Sequence, residues 1–281
     1  MSHDEIDVFR LGRGFQTVER LFAVYRFATA RMKRSHLFQR GCPLIFALQI
    51  RQRALHHRNA MTAIDDVLSL PKWTQSPSEE LANSISHGIG FVAALIGASF
   101  LLSPARNLSS IGFYIGVIVF TLTTLLLYLA SMLYHAWPQT QGKSLLQLLD
   151  HCAIFWLIAG TYTPFMLGPL HGAWGWTILG LIWACAVFGT LVKATRGTTR
   201  HRKLAMLLYL GMGWFALIAT RPLALALPVS TLLWLLAGGV AYTVGVLFFV
   251  KEQLRYSHFI WHLFVLAGSS CHFAAVFTCT I

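Results

Sequence analysis

His258 and His262 stand four residues apart in the last apolar stretch of the chain, "SHFIWHLFVLAGSSCHF". On a helix, an i, i+4 pair shares one face with about 6 Å between side chains, so one ion can take both imidazoles. His135, in "SMLYHAW", is a third nitrogen donor, and Ser131 sits one turn before it on the same face. Asp150 and His151 open another apolar run. Three imidazoles with a fourth position open to water make a catalytic-type zinc set, and zinc lowers the pKa of that water to about 7. Asp150 is then the carboxylate that accepts or orients its proton. Ser131 is a hydroxyl able to hydrogen-bond a ligand or the water.

Each residue also has a plainer reading. A histidine pair in a helix serves packing or hydrogen bonding as well as metal. Asp150 near a helix start answers the helix dipole or caps the helix. His87 reads either as an ordinary interfacial histidine or as part of the same polar set. His272 lies about 15 Å beyond His262 at helical rise. It is read as a satisfied interhelical donor or a substrate-channel residue, and not as a ligand. Glu79, Glu80 and Asn83 precede the first long apolar run and are candidates to cap it.

The elements that must position these groups follow from composition. Of 281 residues, 56% are hydrophobic and 11% charged, against about 25% charged in a soluble domain. Beyond Glu80 the only acids are Asp150 and Glu252, too few to cover a soluble surface of that length. The net charge of +12 does not point to nucleic acid. Twelve of the 22 basic residues fall in the first 72 positions, and most others sit in short loops, the pattern of topology-setting charge. The five cysteines form no CxxC pair, so no disulfide is predicted. The N-terminus mixes acids and bases without an apolar stretch behind them, which does not match a signal peptide.

Seven runs approach the ~20 residues needed to cross a bilayer. They cover about 84–103, 111–134, 149–168, 174–193, 204–221, 231–250 and 257–280. The fold class predicted is an all-α, seven-transmembrane-helix bundle over 76–281, a polytopic membrane protein. Residues 1–75 form a basic extension, read as a largely disordered tail or a helix lying on the membrane surface. The N-terminal region with the second, fourth and sixth loops holds 20 Lys and Arg, and the other loops hold two. The N-terminus is therefore expected in the cytoplasm and the C-terminus outside. That topology brings His87, His135, Asp150, His151, His258 and His262, from four helices, into the cytoplasmic leaflet. Ionisable groups there are costly and so are functional candidates.

The same residues carry a resemblance. "EELANSISHGIG" (79–90), "SMLYHAW" (131–137), "LDHCAIFWLIAGTYTPF" (149–165) and "HFIWHLFVLAGSSCHF" (258–273) resemble, in order, the signatures of the hemolysin III family. That family is the bacterial branch of the progestin and adipoQ receptor superfamily, and the likeness extends to its inner-membrane, membrane-homeostasis type. It spans about 76–281 and leaves the extension out. The resemblance implies seven helices, a cytoplasmic N-terminus and a zinc site near the cytoplasmic face. It implies ligands at His135, His258 and His262, with Asp150 and Ser131 as acid and serine. Glu80, Asn83 and His87 match the pattern of its first helix with a less defined role. Membrane lipids are the implied partners, and the eukaryotic relatives resemble a ceramidase-type lipid amidase. Three functions stay open: a zinc-dependent hydrolase of a lipid amide or ester, a membrane sensor with structural zinc, and a pore or cytolysin. The pore ranks last, because the helices lack charged rings or a continuous polar stripe.

Overall fold

The computed structural model describes residues 75–281 apart from 108–109, 139–140, 198–201, 252 and 281. The basic extension, with its surface-helix reading, lies outside the described residues. Every described element is helical. They are α1 (Pro77–Arg106), α2 (Ile111–Ala136), α3 (Gln141–Leu167), α4 (Ala173–Arg196), α5 (Arg202–Trp214), a short 3-10 stretch (Phe215–Ala219), α6 (Thr220–Ala226), α7 (Val229–Phe249) and α8 (Ser257–Phe277). Taking Arg202–Ala226 as one span, seven helices among the described residues are long and apolar enough to cross a membrane.

Helix ends explain where the sequence runs fell short. Hydropathy placed the first run at 84, yet α1 starts at Pro77 because Ser76 and Glu79 form a capping box over a polar first turn. Glu79, Glu80 and Asn83 therefore lie inside α1 rather than before it. Only Glu79 serves the cap, and His87 is nearly three turns in, not one. Likewise α3 begins at Gln141, so Asp150 sits more than two turns inside it and does not cap it.

The packing partners of α1 are α2 and α8, those of α2 are α1 and α3, and α3 also contacts α4, α5 and α8. The amphipathic pattern of α1 is turned inside out. Leu81, Ile85, Ile89, Val92, Ile96 and Phe100 are exposed, while Asn83, Ser86, His87, Gly90 and Gly97 are buried. In a bilayer, the apolar stripe faces lipid and the small and polar stripe faces neighbouring helices. The α2–α3 contact depends on Gly112 and Gly116, one turn apart. A Cβ on Gly116 would stand 2.6 Å from the Pro164 nitrogen and 2.9 Å from the Thr163 carbonyl carbon.

The fifth span is broken, where the sequence reading had one helix over 204–221. Pro222 lacks an N–H and its ring crowds the turn before it. The chain tightens to 3-10 geometry at Phe215–Ala219 and resumes as α6. Tyr162 of α3 satisfies the interruption. Its hydroxyl donates to the Met212 and Gly213 carbonyls at 2.7 and 3.2 Å and accepts from the Ala216 N–H at 2.9 Å. Such partners are what allow a broken helix at membrane depth.

Candidate metal centre

The start of α1, the end of α2, the first turns of α3 and the start of α8 meet at one end of the bundle. The entry into α8 is fixed by Tyr256, a non-glycine residue in the left-handed region at φ 59°. Such a conformation costs of order 1 kcal/mol and persists where surrounding structure holds it. Here the Tyr256 N–H donates to Glu79 Oε1 at 2.8 Å, and the Arg255 guanidinium lies 5.2 Å from the centre of its ring. Glu79 thus closes the cap of α1 and sets the first turn of α8 against it.

His258 and His262 leave that first turn toward His135 of α2. Ring centres are 4.6 Å apart for His258–His262, 5.1 Å for His135–His258 and 5.0 Å for His135–His262. One nitrogen from each ring lies within 4.8 Å of the others, a group that could hold a metal ion.

The outer nitrogens are committed elsewhere. His135 Nδ1 lies 2.6 Å from Glu80 Oε2, and Lys143 donates to Glu80 Oε1 at 2.8 Å and to the Trp137 carbonyl at 3.2 Å. This gives a carboxylate–imidazole pair backed by a buried ammonium. With Nδ1–H donated to Glu80, Nε2 carries the lone pair, and that atom is buried without a partner. His262 Nδ1 is 3.3 Å from the Asn83 carbonyl and 3.2 Å from Ser86 Oγ. Ser86 itself donates to the Asn83 carbonyl at 2.8 Å. His262 Nε2 is thereby left with its lone pair toward the cluster. Metal-ligating histidines commonly hold their second nitrogen in this way, to a carboxylate or a carbonyl. An orphaned imidazole nitrogen at the meeting point of three rings fits a bound cation.

The other residues singled out by sequence fall around this triangle. His87 stacks on His262, with centres 3.6 Å apart and planes 9° from parallel, and neither of its nitrogens has a partner. It is a shelf for a candidate ligand, buried rather than interfacial. Ser131 is fully buried, and its hydroxyl lies beside the buried Asp150 carboxyl. His87, Ser131, Asp150, His151, His258 and His262 all line one cavity of about 100 Å³. The Asn83 side chain points elsewhere, donating to Gln75 at 2.6 Å, and its carbonyl is the part that reaches the site. His272 lines the far end of the cavity, with Nε2 3.4 Å from the Leu235 carbonyl and Nδ1 unpartnered. It makes an interhelical contact and lines the cavity.

Lys143 and Ser86 were not anticipated. Lys143 was counted only as a loop charge, and no spacing links it to Glu80, 63 residues away. The one available signal was that a glutamate drawn into an apolar bundle needs a cation beside it.

A hemolysin-3 homolog of Bacillus subtilis (strain 168) is 40% identical over 203 residues, covering 72% of this chain and 93% of the relative. Hemolysin-3 of Bacillus cereus is 40% identical over 207 residues, covering 74% and 94%. The human monocyte to macrophage differentiation factor is 26% identical over 212 residues, covering 70% and 83%. Residues 75–273 match the haemolysin-III related family, so the site's histidines on α2 and α8 and their supports on α1 all lie within the matched region, and the chain is a multi-pass membrane protein belonging to that family.

Proposed function

We propose that this protein is a zinc-dependent hydrolase of a lipid amide or ester, resident in the bacterial inner membrane with its site toward the cytoplasm. The observation that carries this reading is the cavity running from the histidine triangle along the inside of the bundle. It is polar at the triangle, where Asp150 and Ser131 face it. Further in it is walled by Leu127, Ile154, Ile158, Leu210 and Val246. On α8 it is lined from His258 to His272, about 21 Å at helical rise. A headgroup linkage and its acyl chain have that polarity and that length. Three imidazoles suit zinc, held by His135, His258 and His262. When bound, zinc supplies Lewis-acid polarisation of a carbonyl and makes a water more acidic.

The chain's own residues do the rest. Glu80 and the Asn83 carbonyl fix the tautomers and ring planes of His135 and His262. Asp150 takes the proton that water loses as it adds to the acyl carbon, and returns it to the departing amine or alcohol. The acyl C–N or C–O bond breaks, and the chain leaves as a carboxylic acid that becomes the carboxylate by giving its remaining proton to the amine or to water. The Ser131 hydroxyl orients the water or the substrate carbonyl. The apolar wall keeps bulk water from the site.

A second reading is a non-enzymatic membrane sensor in which zinc ties helices together. It is favoured by the origin of the ligands. They come from α2 and α8, each of which packs chiefly against other helices. The deciding measurement compares zinc content and lipid hydrolysis in the purified wild type and Asp150→Ala. The enzyme reading expects zinc retained and turnover lost in the variant. A metal-replete wild type that turns over no lipid leaves the sensor. Zinc retained in His258→Ala refutes the ligand assignment. Cysteine labelling from each side of the membrane tests the orientation, with position 171 expected to react from outside.

A further inference from the structure

Well past the histidine triangle, α7 and α8 exchange polar rings. His272 of α8 lies against Gly238 of α7, and Tyr242 of α7 lies against Gly268 of α8. A Cβ on Gly268 would meet the Tyr242 ring at 2.7–2.9 Å, and one on Gly238 would meet the imidazole. Each helix therefore gives up a side chain to admit the other's ring. The two rings are 5.4 Å apart. Both line the cavity; His272 Nδ1 is buried without a hydrogen-bond partner, and the buried Tyr242 hydroxyl has only the Ser269 hydroxyl near it, outside good hydrogen-bond geometry. The adjacent Tyr128 and Ser269 hydroxyls are different. They bond to each other, and Ser269 donates to the Val265 carbonyl at 2.9 Å.

Unpaired polar atoms in the interior of a membrane bundle are costly, and leucine and phenylalanine would fill the same space. Their chemistry is complementary. The His272 Nε2–H points to the Leu235 carbonyl at 3.4 Å, which leaves Nδ1 as an acceptor. The Tyr242 hydroxyl is a donor. A single alcohol satisfies both, accepting from Tyr242 and donating to His272, whereas a ketone satisfies only Tyr242. His272 is ten residues beyond His262 on α8, about 15 Å at helical rise. That depth is reached by the middle of an acyl chain whose carbonyl sits at the triangle.

We propose that Tyr242 and His272 form a second subsite that recognises a hydroxyl carried in the middle of an acyl chain, so that mid-chain hydroxylated lipids are the favoured substrate class. The proposal rests on the lipid-hydrolase reading of the cavity. The test uses the purified, zinc-loaded protein and displacement of a fluorescent fatty acid by three competitors. These are stearate, a stearate hydroxylated in mid-chain, and a stearate hydroxylated beside its carboxyl group. The mid-chain hydroxy acid is expected to bind about tenfold more tightly than the other two, the worth of its two hydrogen bonds to buried groups less the cost of desolvating the hydroxyl, so that losing either bond cancels the gain. Tyr242→Phe removes that preference while stearate affinity and zinc content stay unchanged, and His272→Leu does the same. Equal binding of the three acids, or a preference that survives Tyr242→Phe, overturns the subsite and leaves the hydrolase reading standing. Failure of every acid to bind overturns both.

Discussion

Glu80→Gln is the perturbation that most directly tests how the centre is built. In the wild type, Glu80 accepts from His135 through one oxygen and from Lys143 through the other, at 2.6 and 2.8 Å. Glutamine is nearly the same size but has one acceptor oxygen, so it can serve His135 or Lys143 and not both. If it serves Lys143, the His135 ring loses its anchor and its preferred tautomer. Loss of such an outer partner lowers metal affinity by about 10- to 100-fold, or about 1.4–2.7 kcal/mol. If it serves His135 instead, Lys143 keeps only the Trp137 carbonyl and the Tyr134 ring beside it, and the fold loses about 1–3 kcal/mol. Glu80→Gln/Lys143→Met removes the buried ammonium and ends the competition for the one oxygen. The double variant is expected to recover both thermal stability in detergent and zinc affinity, measured by competition with a chelator of known strength. Zinc affinity within about twofold of wild type together with unchanged thermal stability in Glu80→Gln would refute the positioning argument. Zinc affinity that stays low on adding Lys143→Met would show instead that the centre needs the carboxylate charge and not only an acceptor for His135.

Two further outcomes follow from the packing. Tyr162→Phe strands the Ala216 N–H at the break in the fifth span, and should lower unfolding stability by about 2 kcal/mol. No change would mean that water already serves the break. Gly116→Ala pushes a methyl into the backbone of α3 rather than into a movable side chain, and should cost about 1–3 kcal/mol in the same assay. A neutral result would mean that α2 and α3 separate freely.

Seven helices were legible in the sequence because hydropathy is an additive property of consecutive residues, and acids after Glu80 are nearly absent. Their ends were not, because polar first turns such as "PSEELANS" are helical only through capping that hydropathy does not weigh. The break at Phe215–Ala219 escaped for a related reason. Pro222 was visible, but the hydroxyl that makes the break tolerable comes from Tyr162, 54 residues away.

At the centre, the sequence alone determined the candidate donors. His258 and His262 had to share a helix face, and alternating crossings had to bring His135 and Asp150 to the same end. Residue type and helical period are local facts, and crossing number is a matter of counting. Tertiary structure alone decided which nitrogen of His135 and of His262 is free. That depends on Glu80, Lys143 and the Asn83 carbonyl, groups brought to α2 and α8 from α1 and α3. It also decided the fate of His272 and Tyr242. Their polar atoms face a cavity only because Gly238 and Gly268 of facing helices let each ring in. No window along the chain contains that contact, because close approach of two helices is a property of the pair.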